Sequence, residues 1–474
     1  MESEHKHVGY EKDSRDRFRI ANLSDNLNTS SDKDSARTAD PCENPDLSIR
    51  RAMLPGLDGL RGIAALGVVL LHSCVPYMEP AVPGLAWSVN DRPHWLASQC
   101  FWLIELFIMP VFLVLAGYFA WRSLKRSGVA ELIRSRSRRL LVPLGFGAVV
   151  VLPADLYIWL AGWVAESKIP LRKMKSLKFS DGIDQDLWGL SHLWFLQYLF
   201  LYILVLGSVY WVLQRSSFLK RMLRSSRFCF ASLFSVACLT LIFAPEVVWG
   251  FQHSFYPVAS KWIYSGAFFA LGIWIASFDS EMRWLTTTRF RHASFAVALS
   301  LPAMLLGQWH LRGGDQQVAS LLLAVTTTTS ATLITLALMG YAASIKTPLS
   351  ERWSYLAAAS FWVYLVHHPL LGLLQIDMKW MMPEISSVFK VLLGMLGSVA
   401  LSLATYEIGV RKTALGRLLG FQYSPRKLET DLADPLVGAD VLEDSIQQSI
   451  IAIVSQDDKD VEDASEELSD RKAA

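Results

Sequence analysis

Residues 57–77 read LDGLRGIAALGVVLLHSCVPY, an apolar stretch with one arginine near its start, Arg61, and one histidine near its end, His72. On a helix, eleven steps of about 100° bring His72 back to within roughly 20° of the face that carries Arg61, about 16 Å further along the axis. One stripe therefore bears a permanent cation at one end and a titratable imidazole at the other. Residues 62–71 hold no charge, so both polar groups stand out against hydrocarbon.

The rest of the chain supplies what such a helix needs around it. Of 474 residues, 52% are hydrophobic and 12% aromatic, which excludes an ordinary soluble domain. Apolar segments, each near the ~20 residues of a spanning helix, fall at 57–78, 95–121, 140–164, 190–213, 228–249, 257–278, 293–311, 318–344, 353–376 and 387–411. The fold class is all-α: a polytopic transmembrane bundle of about ten helices over residues 53–412, between two disordered tails. Residues 1–52 are too rich in Ser, Asp, Asn, Lys and Arg to build a core. Residues 413–474 turn polar and then acidic, with DDKDVEDASEELSD near the end and the pattern of a short amphipathic helix from Val441 to Val454. The five cysteines are odd in number and scattered, which supports neither a disulfide framework nor a CxxC metal site. A net charge of +2 calls for no acidic partner, and nothing points to nucleic acid.

Short cytoplasmic loops carry an excess of Lys and Arg. Arg122, Lys125, Arg126, Arg134, Arg136, Arg138 and Arg139 follow the second span; Arg215, Lys220, Arg221, Arg224 and Arg227 follow the fourth; Arg283, Arg289 and Arg291 follow the sixth. Odd-numbered loops are poorer, apart from residues 165–188, where Lys168, Arg172, Lys173, Lys175 and Lys178 are set against Glu166, Asp181, Asp184 and Asp186. Both termini are therefore expected in the cytoplasm. The alternation then puts His72, His192, His367 and His368 at similar depth near the outer side, and Arg61, Arg136 and Arg139 together near the inner side.

Each of these residues has a plainer reading. Arg61 is equally a snorkelling side chain, with Asp58 as a helix cap or its partner. Arg136 and Arg139 alone are positive-inside residues. His192 sits among aromatics like an interfacial anchor, and His367 and His368, about 100° apart on a helix, are not expected to face one site together. Ionisable groups within a span are costly and tend to mark functional paths, which favours a functional His72. Glu105, near the middle of the second span, is expected to pair with a cation or a histidine; Asp155 and Glu407 read as bracing. Thr326 to Thr329 read as helix hydroxyls bonded to their own carbonyls.

LDGLRGIAALGVVLLH, with Arg61, ten residues and then His72, resembles the first helix of the acyltransferase 3 family of integral membrane enzymes. AGYFAWRSLKRSG followed by RSRSRRLLVP resembles the family's glycine-ended second helix and its Arg-x-x-Arg stretch; HLWFLQYLFLY and SFWVYLVHHPLL resemble its His-Leu-Trp-Phe-Leu and Tyr-Leu-x-His segments. The four pieces come in the family's order and cover about residues 54–411. The ten spans, MPVFLVLAGYF and the HHP ending are most similar to the branch that includes the glucan-modifying succinyltransferases of bacterial envelopes, which implies a cell membrane.

The resemblance implies an O-acyltransferase that moves an acetyl or succinyl group from cytoplasmic acyl-coenzyme A to a hydroxyl of a glycan or other envelope acceptor. Acyl-coenzyme A is a co-substrate; no tightly bound cofactor and no metal is expected. Arginine offers phosphate a fixed charge and a planar fork of donors, so Arg61, Arg136 and Arg139 are the expected donor-binding residues. The ~16 Å from Arg61 to His72 is comparable to a pantetheine arm. His72 is the expected base toward the acceptor hydroxyl; an acyl-histidine intermediate is the other route. Glu105 is expected to orient His72, and Trp194, Tyr364, His192, His367 or His368 to face a developing oxyanion. Against this stand a transporter or lipid flippase, for which paired broken helices and a two-fold repeat are lacking, and a metalloenzyme using the outer histidines, for which no His-x-x-His or Glu-x-x-His spacing exists on one helix.

Overall fold

The computed structural model describes residues 55–420 apart from 180–182, 184–185, 216–225 and 315. The expected N-terminal tail, residues 421–474 of the expected C-terminal one, the pattern at 441–454, and Lys220, Arg221, Arg224, Asp181 and Asp184 lie outside the described residues; the start of the C-terminal tail, expected to be disordered, is instead a short helix, Ala414–Leu419, capped by the Thr413 hydroxyl.

Every element among the described residues is helical. α1 is Pro55–Cys74, continued by a 3-10 turn Val75–Tyr77, and α2 is Trp95–Phe146. A π turn, Gly147–Val151, joins α2 to α3, Leu152–Ala165, and α4 is the single turn Lys173–Ser176. A 3-10 turn, Ser191–Leu193, opens α5, Trp194–Arg215; α6 is Ser226–Phe243 and α7 the turn Glu246–Trp249. The long helices α8 Ala259–Phe278, α9 Arg283–Leu311, α10 Gln317–Ser344, α11 Glu351–Met381 and α12 Ser387–Gly409 follow, and α13 Ala414–Leu419 ends the described chain.

Among the described residues, eight helical stretches are long and apolar enough to cross a membrane, and one of them, Trp95–Ala165, runs for 71 residues. That stretch holds the second and third expected spans, and the fifth is the shorter apolar helix Arg227–Phe243. The all-α polytopic bundle is therefore present. Its basic segment after the second span is helix rather than loop: α2 continues through Arg122, Lys125 and Arg126 and bends at Gly128, whose φ of 77° is one that glycine adopts without a Cβ clash. Pro153 has no N–H for the carbonyl four residues back, and the ladder widens into the π turn just before it.

α1 lies at the centre of this arrangement, against α2, α10, α11 and α12. Glycines every third residue let it do so. A Cβ at Gly56 would sit 2.0 Å from the Ala342 carbonyl oxygen of α10, and Gly62 faces Ala357 of α11. At the other end of α1, the connection to α2 folds inward. Its Trp87 is 4% exposed and donates Nε1–H to Gln375 Oε1 of α11 at 2.7 Å, while Trp159 and Trp163 of α3 donate to the carbonyls of Ala86 (3.0 Å) and Trp87 (2.8 Å). Gly162 lets the loop press on α3, since a Cβ there would meet the Ser88 carbonyl oxygen at 2.1 Å. The same loop is clasped at its far edge: Lys390 of α12 pairs with Asp91 at 2.7 Å, Lys379 of α11 bonds the Asn90 carbonyl and Glu166, and the Asn90 N–H donates to Glu166 Oε1 at 3.0 Å.

Candidate active site

The four histidines converge at the end of the bundle where α1 meets this loop. His72 Nδ1 and His367 Nε2 are 3.0 Å apart. His367 Nδ1 lies 2.8 Å from the Tyr364 carbonyl and 3.1 Å from that of Val363, so it must carry the proton and donate. His367 Nε2 is then an acceptor, and His72 donates its Nδ1–H to it. His72 Nε2 is left with a lone pair and no protein partner among the described residues. It turns to a cavity of ≈330 Å³ that His72 lines together with Glu105, Asp155, His192, Lys261 and His368.

His368 is the neighbour of His72 on that cavity. Its ring stands edge-on to His72 at 5.1 Å, stacks on Trp159 at 4.9 Å and on His192 at 4.7 Å, and its Nδ1 meets Asp155 Oδ2 at 2.9 Å. His192 gives its Nε2–H to the Leu365 carbonyl at 3.1 Å, and Tyr364 gives its hydroxyl to the His192 carbonyl at 2.5 Å. The α11 contributors Tyr364, His367, His368 and Gln375 follow the i, i+3, i+4, i+11 spacing of one helical face. Gln375 also donates to the Ser73 carbonyl at 3.3 Å, which ties the end of α1 to α11 beside the histidines.

Several expectations change. His367 and His368 both join the cluster, because it lies between their two directions: His367 supports His72 from behind and His368 lines the cavity. Asp155 is no outlying brace but the carboxylate at the centre of the imidazoles, with a second oxygen that has no hydrogen-bond partner among the described residues. Glu105 lines the cavity but does not hold His72, whose Nδ1 is taken by His367. Its charge interacts instead with that of Lys261, without direct ion-pair contact. Lys261 is 6% exposed, with Nζ 3.9 Å from the centre of the Trp194 ring and 4.7 Å from that of Phe251. Glu407 does brace, bonding Arg411 Nη1 at 2.9 Å. Of the threonine run, Thr326 and Thr329 bond their own helix, whereas Thr327 accepts from Trp249 Nε1 at 3.1 Å.

At the mouth, His253 receives the Ser191 N–H at 2.8 Å and donates Nδ1–H to the Asp186 carbonyl at 3.0 Å. Burial holds its imidazole below the ordinary histidine range despite that bond. Trp87, Trp159, Ser191, Lys261 and Gln375 escaped sequence reasoning. Only Lys261, a charge four residues inside the expected span 257–278, carried a signal there.

Asp155, His192 and His368 offer donor atoms within 4.8 Å of one another, as a metal triad would. The rings of His192 and His368 lie only 25° from parallel. Their in-plane lone pairs run side by side rather than meeting at a point ~2.0–2.1 Å from each, as zinc requires. The arrangement fits a hydrogen-bonded imidazole–carboxylate pair better than an ion.

Arg61 is at the opposite end of α1. It contacts Asp58 at 3.4 Å and the Ala357 carbonyl at 3.4 Å, and Arg136 lies within electrostatic range of both Arg61 and Arg139. Three guanidinium groups thus share one region. Along α1 the cavity lining extends to Val68, seven positions or about 10 Å short of Arg61.

The bundle thus sets imidazoles on a cavity at one end of α1 and guanidinium groups at the other, and comparison with known proteins gives the class. The family described as "Acyltransferase domain", the acyltransferase 3 family, matches residues 54–407, and the chain belongs to it. It is an integral membrane acyltransferase, acting on groups other than aminoacyl groups. Among curated proteins it is similar to glucans biosynthesis protein C of Escherichia coli O1:K1 / APEC, at 25% identity over 380 residues that cover 75% of this chain and 91% of the relative. The protein of the same name from Salmonella paratyphi B matches at 25% over 369 residues, with the same coverage. No solved structure matches.

Proposed function

We propose that this protein is an O-acyltransferase that moves an acetyl or succinyl group from cytoplasmic acyl-coenzyme A to a hydroxyl of a glycan or other envelope acceptor, with His72 as the catalytic base. The observation that carries the reading is the tautomer chain from the Tyr364 carbonyl through His367 to His72, which leaves the His72 Nε2 lone pair aimed into the cavity. A base needs that lone pair within reach of the proton it takes. The acceptor O–H proton passes to His72 Nε2, the oxygen attacks the thioester carbon, the C–S bond breaks, and the departing thiolate recovers the proton.

Arg61, Arg136 and Arg139 are the donor-binding residues in this reading. They gather guanidinium charge at the end opposite the imidazoles, as a phosphorylated nucleotide with a long acyl arm demands. The arm crosses the ~10 Å between Arg61 and the cavity to present its thioester to His72. The shared name of the relatives, a glucan biosynthesis protein, supports a glycan acceptor.

The test is transfer from radiolabelled acetyl- and succinyl-coenzyme A by purified protein in detergent, with an envelope extract as acceptor. Wild type is expected to label the extract. His72→Ala should abolish labelling while keeping coenzyme A binding, and Arg61→Ala should raise the KM for the donor. No transfer and no coenzyme A binding with any acyl group would sink the reading and favour a transporter.

A further inference from the structure

An acyl transfer in this cavity needs more than a base. The thioester oxygen becomes negative as the acceptor attacks, and a donor must already face it. Most candidate donors are committed elsewhere. Tyr364 gives its hydroxyl to the His192 carbonyl, His192 gives Nε2–H to Leu365, and His367 gives Nδ1–H to Tyr364. The indoles of Trp87 and Trp159 are bonded to Gln375 and Ala86. Tyr264 and Lys261 also line the cavity, from α8, whereas His368 stands directly beside His72, with Nδ1 on Asp155 and Nε2 without a protein partner among the described residues.

Asp155 decides what that nitrogen carries. A carboxylate buried in low dielectric does not keep an uncompensated charge. Oδ1 of Asp155 has no hydrogen-bond partner among the described residues, and Oδ2 has His368 at 2.9 Å and His192 at 3.8 Å. One proton shared by Asp155 and His368 makes the pair neutral overall. Whichever of the two holds that proton, Nδ1 stays bonded to Oδ2 and His368 carries its other hydrogen on Nε2, on the cavity side. His72 differs: its partner is a neutral imidazole, which leaves its Nε2 bare. Two adjacent histidines are thus driven to opposite roles by what stands behind them.

We propose that His368, its Nδ1 held by Asp155 and its Nε2–H on the cavity side, is the oxyanion donor of this cavity, facing the thioester oxygen while His72 serves the acceptor hydroxyl. The inference rests on the acyl-transfer reading. No proton leaves His368 in the step: its Nε2–H bond strengthens toward the oxygen as the tetrahedral intermediate forms, and relaxes when the C–S bond breaks. The titratable groups facing it are His72 from α1, Asp155 from α3, His192 from the turn before α5, His253 from the loop before α8 and His367 on its own helix, with Glu105 and Lys261 across the cavity.

The experiment compares Asp155→Asn, His368→Gln and His368→Ala with wild type in the radiolabel assay, with coenzyme A binding measured in parallel. Asp155→Asn is expected to lower kcat by ~10²–10³-fold with the donor KM unchanged. His368→Gln, which keeps an N–H donor, should retain more activity than His368→Ala. Wild-type kcat in Asp155→Asn and His368→Ala, while His72→Ala is dead, would overturn the inference and leave the acyltransferase standing. Equal loss in His368→Gln and His368→Ala, together with lost coenzyme A binding, would also overturn it by marking a packing role. No transfer by wild type from any donor would overturn both readings.

Discussion

His72 and His367 form a contact in which one proton assignment forces the next. Two carbonyls at one nitrogen of His367 make that nitrogen a donor, and the chain ends in a bare Nε2 on His72. His367 is a positioning residue in this arrangement: it touches no substrate but fixes the tautomer of the residue that does. Outer partners of this kind are worth ~10–100-fold where they have been removed. His367→Leu should therefore lower kcat by about that factor, leaving the donor KM in place. His367→Gln should recover part of the loss, since its amide oxygen can accept the His72 Nδ1–H. Failure of the glutamine to rescue, measured as kcat in the transfer assay, would mean that packing rather than the tautomer is at stake.

Among the elements, α2 and α8 approach each other through a glycine on each side. A Cβ at Gly117 would lie 2.0 Å from the Phe269 carbonyl oxygen, and one at Gly272 would lie 2.1 Å from that of Val114. Such contact lets backbones pack where lipid offers no hydrophobic drive between helices. Because α2 carries Glu105 and α8 carries Lys261, the crossing also sets the far wall of the cavity. Gly117→Val should cost about 1–3 kcal/mol or more by overpacking, read as a lower thermal midpoint in detergent. Gly145, in the same helix but with nothing within 4 Å of its would-be Cβ, is the control. Gly145→Ala should leave the midpoint unchanged or raise it.

Across the whole molecule, the loop that buries Trp87 is held at its edge by Glu166 just beyond α3. Burial alone would raise the Glu166 carboxyl, but hydrogen bonds from Lys168, Lys379 and the Asn90 N–H outweigh it and hold it below the ordinary glutamate range. A carboxyl lowered by folding stabilises the fold above its unfolded pKa, and that contribution is lost as pH falls through its folded value. Glu166→Gln should therefore lower the thermal midpoint at neutral pH, with the gap to wild type closing in acid below the usual glutamate range. A gap independent of pH would show that charge is not what closes this edge.

What the sequence determined was set by local rules. Hydropathy and span length gave an all-α bundle of apolar helices, because a backbone in hydrocarbon must bond within itself. The spacing of Arg61 and His72 placed a cation and an imidazole at opposite ends of one helix, because helical rise and twist are fixed. Shared depth grouped His192, His367 and His368 with His72. The tertiary structure decided which atoms touch. It brought Asp155 from α3 to His368 on α11, gave His72 to His367 rather than to Glu105, and turned the loop of Trp87 inward between α3 and α11. Those outcomes depend on helix rotation and on glycine contacts between segments far apart in the chain, and a hydropathy pattern carries neither. The roles of two neighbouring imidazoles depend in turn on whether a carboxylate or a neutral ring stands behind each, which only packing settles.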